Sequence, residues 1–195
     1  RLFLYHIFRP LKVAEMIETI NTKDYNNDLE TKDSLHKVKA VDGSGNDILV
    51  SPGIVANSGG CGMLRGPLEQ DKWYRIAIGG FGNSANSAII NIGKYYNNGS
   101  PTSQLFYVSA DGYSNGQTVI QLARGGISRS IAKARIIYQE SIQVRVILDI
   151  YIASPKSNDF TISYSNNLGF SFQPPEEVSA DIPEGYSVKE FTFLE

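Results

Sequence analysis

The sequence predicts an all-β fold, an antiparallel sandwich or barrel, preceded by a short helical and connecting segment. Three observations carry this. Short runs of alternating apolar and polar residues recur at roughly ten-residue spacing after Gly66, the pattern of half-buried strands rather than of βαβ units. Between them stand Asn98-Gly99, Asp111-Gly112, Asn115-Gly116 and Gly125-Gly126, pairs that tolerate positive φ and suit hairpin turns. The composition is rich in 11 Tyr, 9 Phe and 18 Gly, residues of strands and turns respectively.

Along the chain, Arg1 to Phe8 is apolar but too short for a membrane span, which needs about twenty residues. No small-residue cleavage site follows it, so it does not read as a signal peptide. A start at Arg1 rather than Met is what a fragment or processed product would show. Residues 10–20 predict a helix. Pro10 suits the first helical position, and Val13, Met16, Ile17 and Ile20 fall on one face. That face either packs on its own domain or forms a short seam between sister chains. Residues 21–34 read as a polar linker. Residues 35–41 and 48–50 read as two short strands around the turn Asp42-Gly-Ser-Gly-Asn-Asp47, and Ser58-Gly59-Gly60-Cys61-Gly62 as a break. A boundary near Gly66 therefore separates a connecting segment, 1–66, from a head, 67–195.

In the head, strands are expected at 73–78, 87–95, 104–110, 117–123, 131–138, 142–153, 160–165, 168–172 and 187–193. In 142–153, Val144, Val146, Leu148, Ile150 and Ile152 should face the core. Gln143, Arg145, Ile147, Asp149 and Tyr151 form the opposite face, wet or covered by another chain. Gln173-Pro174-Pro175-Glu176-Glu177 cannot be a central strand, because proline removes ladder donors, and reads as a loop.

The chemistry is sparse. One cysteine, Cys61, allows no intrachain disulfide and no Cys-rich zinc site. His6 and His36 are the only histidines and stand beside no obvious nucleophile. The 42–47 turn supplies oxygens at positions one, three and five of a calcium loop. It lacks the glycine at six and the glutamate at twelve, so it reads as a plain turn. Gly59–Gly62 and Gly79–Gly82 lack the phosphate-loop ending and read as a connection and a tight turn. Glu176-Glu177 is an adjacent carboxylate pair in the expected loop, whereas hydrolysis needs a set separation across a cleft. With 18 Lys+Arg against 20 Asp+Glu there is no basic footprint for nucleic acid. No metal, cofactor or catalytic residue is expected. Aromatic rings with Asn and Ser suit hydrogen-bonded, stacked ligands; Tyr95, Tyr96 and Tyr113, beside Asn-Gly loops, and Trp73 are the binding candidates.

The motif order adds a resemblance. Lys39-Ala-Val-Asp-Gly-Ser-Gly-Asn-Asp-Ile-Leu-Val-Ser51 precedes a Gly-rich break and Gly66-Pro-Leu-Glu-Gln-Asp-Lys-Trp-Tyr-Arg-Ile-Ala77. Then follow Ser87-Ala-Ile-Ile-Asn-Ile-Gly93, Leu105-Phe-Tyr-Val108, Lys133-Ala-Arg-Ile-Ile-Tyr138 and Leu148-Asp-Ile-Tyr-Ile152. Over 35–193 this resembles the C-terminal heads of bacteriophage tail-fibre and related fibre proteins, notably of phages and prophages of gut Bacteroidetes. The resemblance implies a jelly-roll-like antiparallel β-sandwich head, a homotrimer on a virion fibre, and attachment to a host-cell-surface glycan or protein; the composition and segment lengths add the expectation of no catalysis, no nucleic-acid binding and no membrane insertion. Val13, Met16, Ile17, Ile20, Ile147 and Tyr151 are then the trimer-interface candidates. A purely structural fibre component and a secreted bacterial carbohydrate-binding module are the rival expectations.

Overall fold

The structure, a computed structural model, describes residues 37–81, 84–94, 102–111, 116–126, 129–139, 145–153 and 157–193. The chain divides into two compact units, Arg1–His36 and Lys37–Glu195. All described residues belong to the second; the 10–20 helix and its face lie outside them.

The second unit opens with a ribbon of β1 (Val38–Val41) and β2 (Asp47–Val50), followed by α1 (Pro52–Ser58). Ten strands follow: β3 (Gly62–Leu68), β4 (Trp73–Phe81), β5 (Asn86–Lys94), β6 (Thr102–Ala110), β7 (Thr118–Gly126), β8 (Ile131–Tyr138), β9 (Arg145–Ile152), β10 (Ser157–Leu168), β11 (Ser171–Val178) and β12 (Ser187–Thr192). They form two antiparallel sheets, sheet I in the order β3-β10-β5-β6-β7 and sheet II in the order β11-β4-β9-β8-β12. The pairs β3–β10 and β4–β9 nest one inside the other, and β10 also flanks β5, as in a jelly roll. Beyond β5 the order departs from one: β6 and β7 continue sheet I as a meander, and β8–β9 is a hairpin in sheet II.

The sheets meet across one apolar core. Ile76, Ile90, Phe106, Ile136, Leu148 and Ile162 are among its fully enclosed members, each worth about 1.5–3 kcal/mol of burial. Val146, Leu148, Ile150 and Ile152 face it, as the alternation of β9 predicts. Two amides are buried with their bonding complete. Gln104 accepts from the Ser130 and Ile131 amides at 2.7 Å each and donates to Gln121 and the Ile131 carbonyl, tying sheet I to the start of β8. Asn86 accepts from the Gly80 amide at 2.6 Å and donates to the Ser84 and Ala110 carbonyls.

Three expectations change, and one element is new. The boundary at Gly66 falls inside β3, which pairs with β10; its glycines and Pro67 look like a break but are tolerated because β3 is an edge strand. Residues 173–177 lie in strand β11, not in a loop. β11 is also an edge, and its ladder shifts between Phe172 and Glu176, where the two prolines sit in a bulge. Gly79 and Gly80 belong to β4 rather than to a turn; a Cβ on Gly79 would overlap the Val146 side chain packed against it. Residues 52–58 form a helix: the Ser51 side chain accepts from the Ile54 amide at 3.4 Å, and Pro52 occupies the first turn.

The 42–47 turn closes on itself. The Asp42 carboxylate accepts from the Ser44 and Asn46 amides at 2.9 and 2.8 Å and from the Asn46 side chain at 3.1 Å. These bonds, the Asn46 amide foremost, hold its pKa below the usual carboxylate value. Its oxygens are committed to the turn.

Candidate functional site

The two sheets treat their outer faces differently. On sheet II the register places Arg75, Asp149, Arg135 and Glu190 in one row across β4, β9, β8 and β12. Asp149 is fully buried there. Its carboxylate accepts from Arg135 Nε at 3.0 Å and from Arg75 Nε at 3.2 Å. Arg135 also donates to the Ser179 and Ala180 carbonyls at 2.8 Å each, and its guanidinium lies 4.3 Å from the centre of the Trp73 ring. Further along, Gln139 donates to the Gly185 carbonyl. The segment leaving β11 therefore runs alongside β8 and covers part of this face with the chain itself.

That arrangement decides the place of three sequence candidates. Trp73 is 7% exposed, with Arg135 over its ring and Tyr151 tilted against it at 5.3 Å. It is part of the sheet's own packing, so it offers a ligand no open stacking face. Tyr151 is half-buried beside it and donates to Asp71 at 3.3 Å. Ile147 is half-buried in the row Ile78–Ile147–Ile137–Val188. The mixture of charge and apolar bulk on β9 is thus matched largely within the chain.

Among the described residues nothing covers the outer face of sheet I. Register places Met63, Ser163, Asn91 and Leu105 in one row across β3, β10, β5 and β6, and Arg65, Thr161, Gly93 and Ser103 in the next. Gly93 carries no side chain between Thr161 and Ser103, and the face dips there. Met63, Asn91, Gly93, Lys94, Thr102, Thr161 and Ser163 line a shallow groove of about 410 Å³. Ser103 donates to Asn91 Oδ1 at 3.0 Å and Ser163 to the Asn91 carbonyl at 3.5 Å. These bonds hold Asn91 in place. Lys94 turns inward at the groove's end, where burial lowers its pKa. Tyr107, 37% exposed, lies on the same face in the row Ser165–Ile89–Tyr107–Ile120.

Tyr95 and Tyr96 follow Lys94 directly in sequence but, with Tyr113, Val13, Met16, Ile17 and Ile20, lie outside the described residues. Sequence reasoning missed Asn91, Gly93, Ser103, Thr161 and Ser163. Their signal is present: on β5 and β10 every outward position near this end is polar or glycine, whereas Ile89 further along is not.

Compared with protein-family models, curated proteins and solved structures, the chain matches none.

The site's character therefore rests on its groups. The groove presents hydroxyls and an amide, with a thioether and no carboxylate among its lining residues, while the Lys94 ammonium is buried. Among the described residues no three of His, Cys, Asp and Glu gather closely enough to hold a metal ion, and no helix is long and apolar enough to cross a membrane. Such a groove can hydrogen-bond a polyhydroxylated ligand and lay its apolar face on Met63.

Proposed function

We propose that this chain is a non-catalytic attachment module of a phage-type fibre, working as a homotrimer, and that each head binds a host-surface glycan in the groove of sheet I. The observation that carries the reading is the gap at Gly93, which Thr161 and Ser103 flank in register, in a groove lined also by Asn91 and Ser163 on an outer face that the described residues leave uncovered. Sugar hydroxyls both donate and accept, and the hydroxyl and amide groups here do the same. The motif order across 35–193 supports the fibre context. A shallow groove gives weak affinity per site, and three copies on one fibre multiply it.

Glycan-array binding by the whole chain, with sedimentation to give the stoichiometry, tests the reading. Binding by a trimer supports it, and no binding at millimolar glycan overturns the ligand assignment.

A second reading, a structural fibre component without a ligand, is favoured by Ile120 and Leu122, exposed on edge strand β7 beside Tyr107. Apolar groups on a sheet edge suit a protein neighbour. It predicts host adsorption unchanged when the groove is filled.

A further inference from the structure

We propose that the glycan site of sheet I continues across Met63 into a second hollow beside α1, and that its ligand is a neutral oligosaccharide long enough to occupy both. The inference rests on the groove reading above and names the class of glycan that fits it. Within α1, Gly53, Ala56 and Asn57 stand at i, i+3 and i+4, which is one helix face. That face carries the two smallest residues of the helix, while Ile54 and Val55 fall on other faces and are 56% and 45% exposed. Together with Pro52, Gly62 and Met63 it lines a hollow of about 470 Å³. Met63, 57% exposed on edge strand β3, also lines the groove at Gly93 and is the residue common to both.

The helix is tied to the sheet where the hollow forms. The Tyr164 hydroxyl donates to Asn57 Oδ1 at 3.0 Å, and just past the helix the Asn167 amide donates to the Gly60 carbonyl at 3.1 Å. Gly62 has no room for a side chain, because a Cβ there would overlap the Tyr164 hydroxyl and Asn57 Oδ1. Pro52, Ala56 and Met63 offer apolar surface to the C–H face of a sugar ring, and Asn57 offers an amide to its hydroxyls. Each hollow alone is as large as a small-ligand pocket, roughly 300–1,000 Å³, so a ligand that uses both has more than one sugar unit. No exposed charged side chain lines either hollow; Lys94, the single charged lining residue, is buried. An acidic glycan would give up water from its carboxylates there without an open counter-charge. A unit held in one hollow presents the next unit to the other at high effective concentration, so the two reinforce each other.

The probes are length series of neutral oligosaccharides of glucose, mannose or N-acetylglucosamine, titrated against the whole chain and three variants. In the natural chain, affinity should rise at least about tenfold from the shortest member that binds to one that spans Met63. A Cβ on Gly53 meets only Ser51 Oγ at 3.8 Å. Gly53→Leu therefore fills the second hollow without crowding, and Ala56→Leu fills it one helical turn on. Each should return the long member to the affinity of the short one. Gly93→Val should weaken both members. Unfolding midpoints, and hydrogen exchange at the Gly59 amide that bonds the Val55 carbonyl, show that α1 stays formed. Short and long members binding equally well to the natural chain overturns the second hollow and leaves the groove standing. So does a length gain that survives in both folded leucine variants. Short-member binding that survives Gly93→Val, or no binding by any series at millimolar concentration, removes the groove reading and the extension together.

Discussion

Arg135 and Asp149 face each other across β8 and β9 as a buried ion pair, 1% and 0% exposed, with Nε to Oδ2 at 3.0 Å. The pair is the hub of sheet II's outer face. Asp149 takes a second guanidinium from Arg75 on β4, and Arg135 spends its remaining donors on the 179–180 carbonyls. Charges so placed are costly to desolvate, and removing one partner strands the other. Asp149→Ala and Arg135→Met should each lower stability by about 3–5 kcal/mol in chemical denaturation. Arg135→Lys should recover little, since an ammonium cannot reproduce the planar fork that serves a carboxylate and two carbonyls at once. A loss below about 1 kcal/mol for Asp149→Ala would place the pair among surface bridges instead.

Gln104 makes the same kind of prediction for the link between sheets. Gln104→Leu leaves the Ser130 and Ile131 amides without their acceptor. Unpaired buried donors cost about 1–3 kcal/mol each. Denaturation midpoints check it, and hydrogen exchange at those two amides should accelerate.

These two centres also show what was legible in the sequence. The strands from β4 to β10 stand out because Ile, Val, Leu and Phe alternate with polar residues, and a half-buried sheet imposes that period. Two of the four edge strands did not stand out. β3 and β11 carry glycine or proline where a central strand could not, and only the pairing partner reveals that the missing donors face outward. The helix at 52–58 hid between a Ser-Pro step and a Gly-rich run, although that step is a capping signal. Trp73 was misread because a ring's exposure depends on what crosses it, here Arg135, a neighbour 62 positions away in sequence (135 − 73). The groove was missed because it is made by an absent side chain, Gly93, which gains meaning only when Thr161 and Ser103 are known to flank it.

Tyr164 links the sandwich to α1. Its ring stacks on Phe172 at 3.9 Å, and its hydroxyl donates to Asn57 at 3.0 Å. Burial first, and the nearby Cys61 second, raise its pKa above the usual 10.0. The folded state therefore favours the neutral phenol. Its contribution is full below pH 10.0, the unfolded value, and is lost as pH rises through the folded one. Ultraviolet titration should show a late tyrosine step that Tyr164→Phe diminishes, Tyr151, raised chiefly by burial, supplying the rest, and the contact to α1 should loosen above that step. A Tyr164 that ionises with free tyrosine would contradict this.

Gly169 sits at φ +82°, and a Cβ there would press on the Ala85 carbonyl and Asn86. Gly169→Ala should destabilise by more than about 1 kcal/mol, read by thermal unfolding, because strain and crowding act together. An unchanged melting temperature would show that the turn between β10 and β11 relaxes freely.

Gly93 is the opposite case, and it gives the most direct test of the proposed glycan binding in sheet I. Its φ is not positive, and a Cβ there meets only the Thr102 carbonyl at an ordinary 3.8 Å. Gly93→Val therefore fills the groove without straining the strand. The measurement is titration of the trimer with the glycan found on the array, natural chain against Gly93→Val, with unfolding midpoints recorded alongside. The account predicts equal midpoints and a loss of binding of at least about tenfold, one unmet hydrogen bond or blocked contact being worth that much. Equal affinity in a folded Gly93→Val chain would contradict it and move the binding site elsewhere.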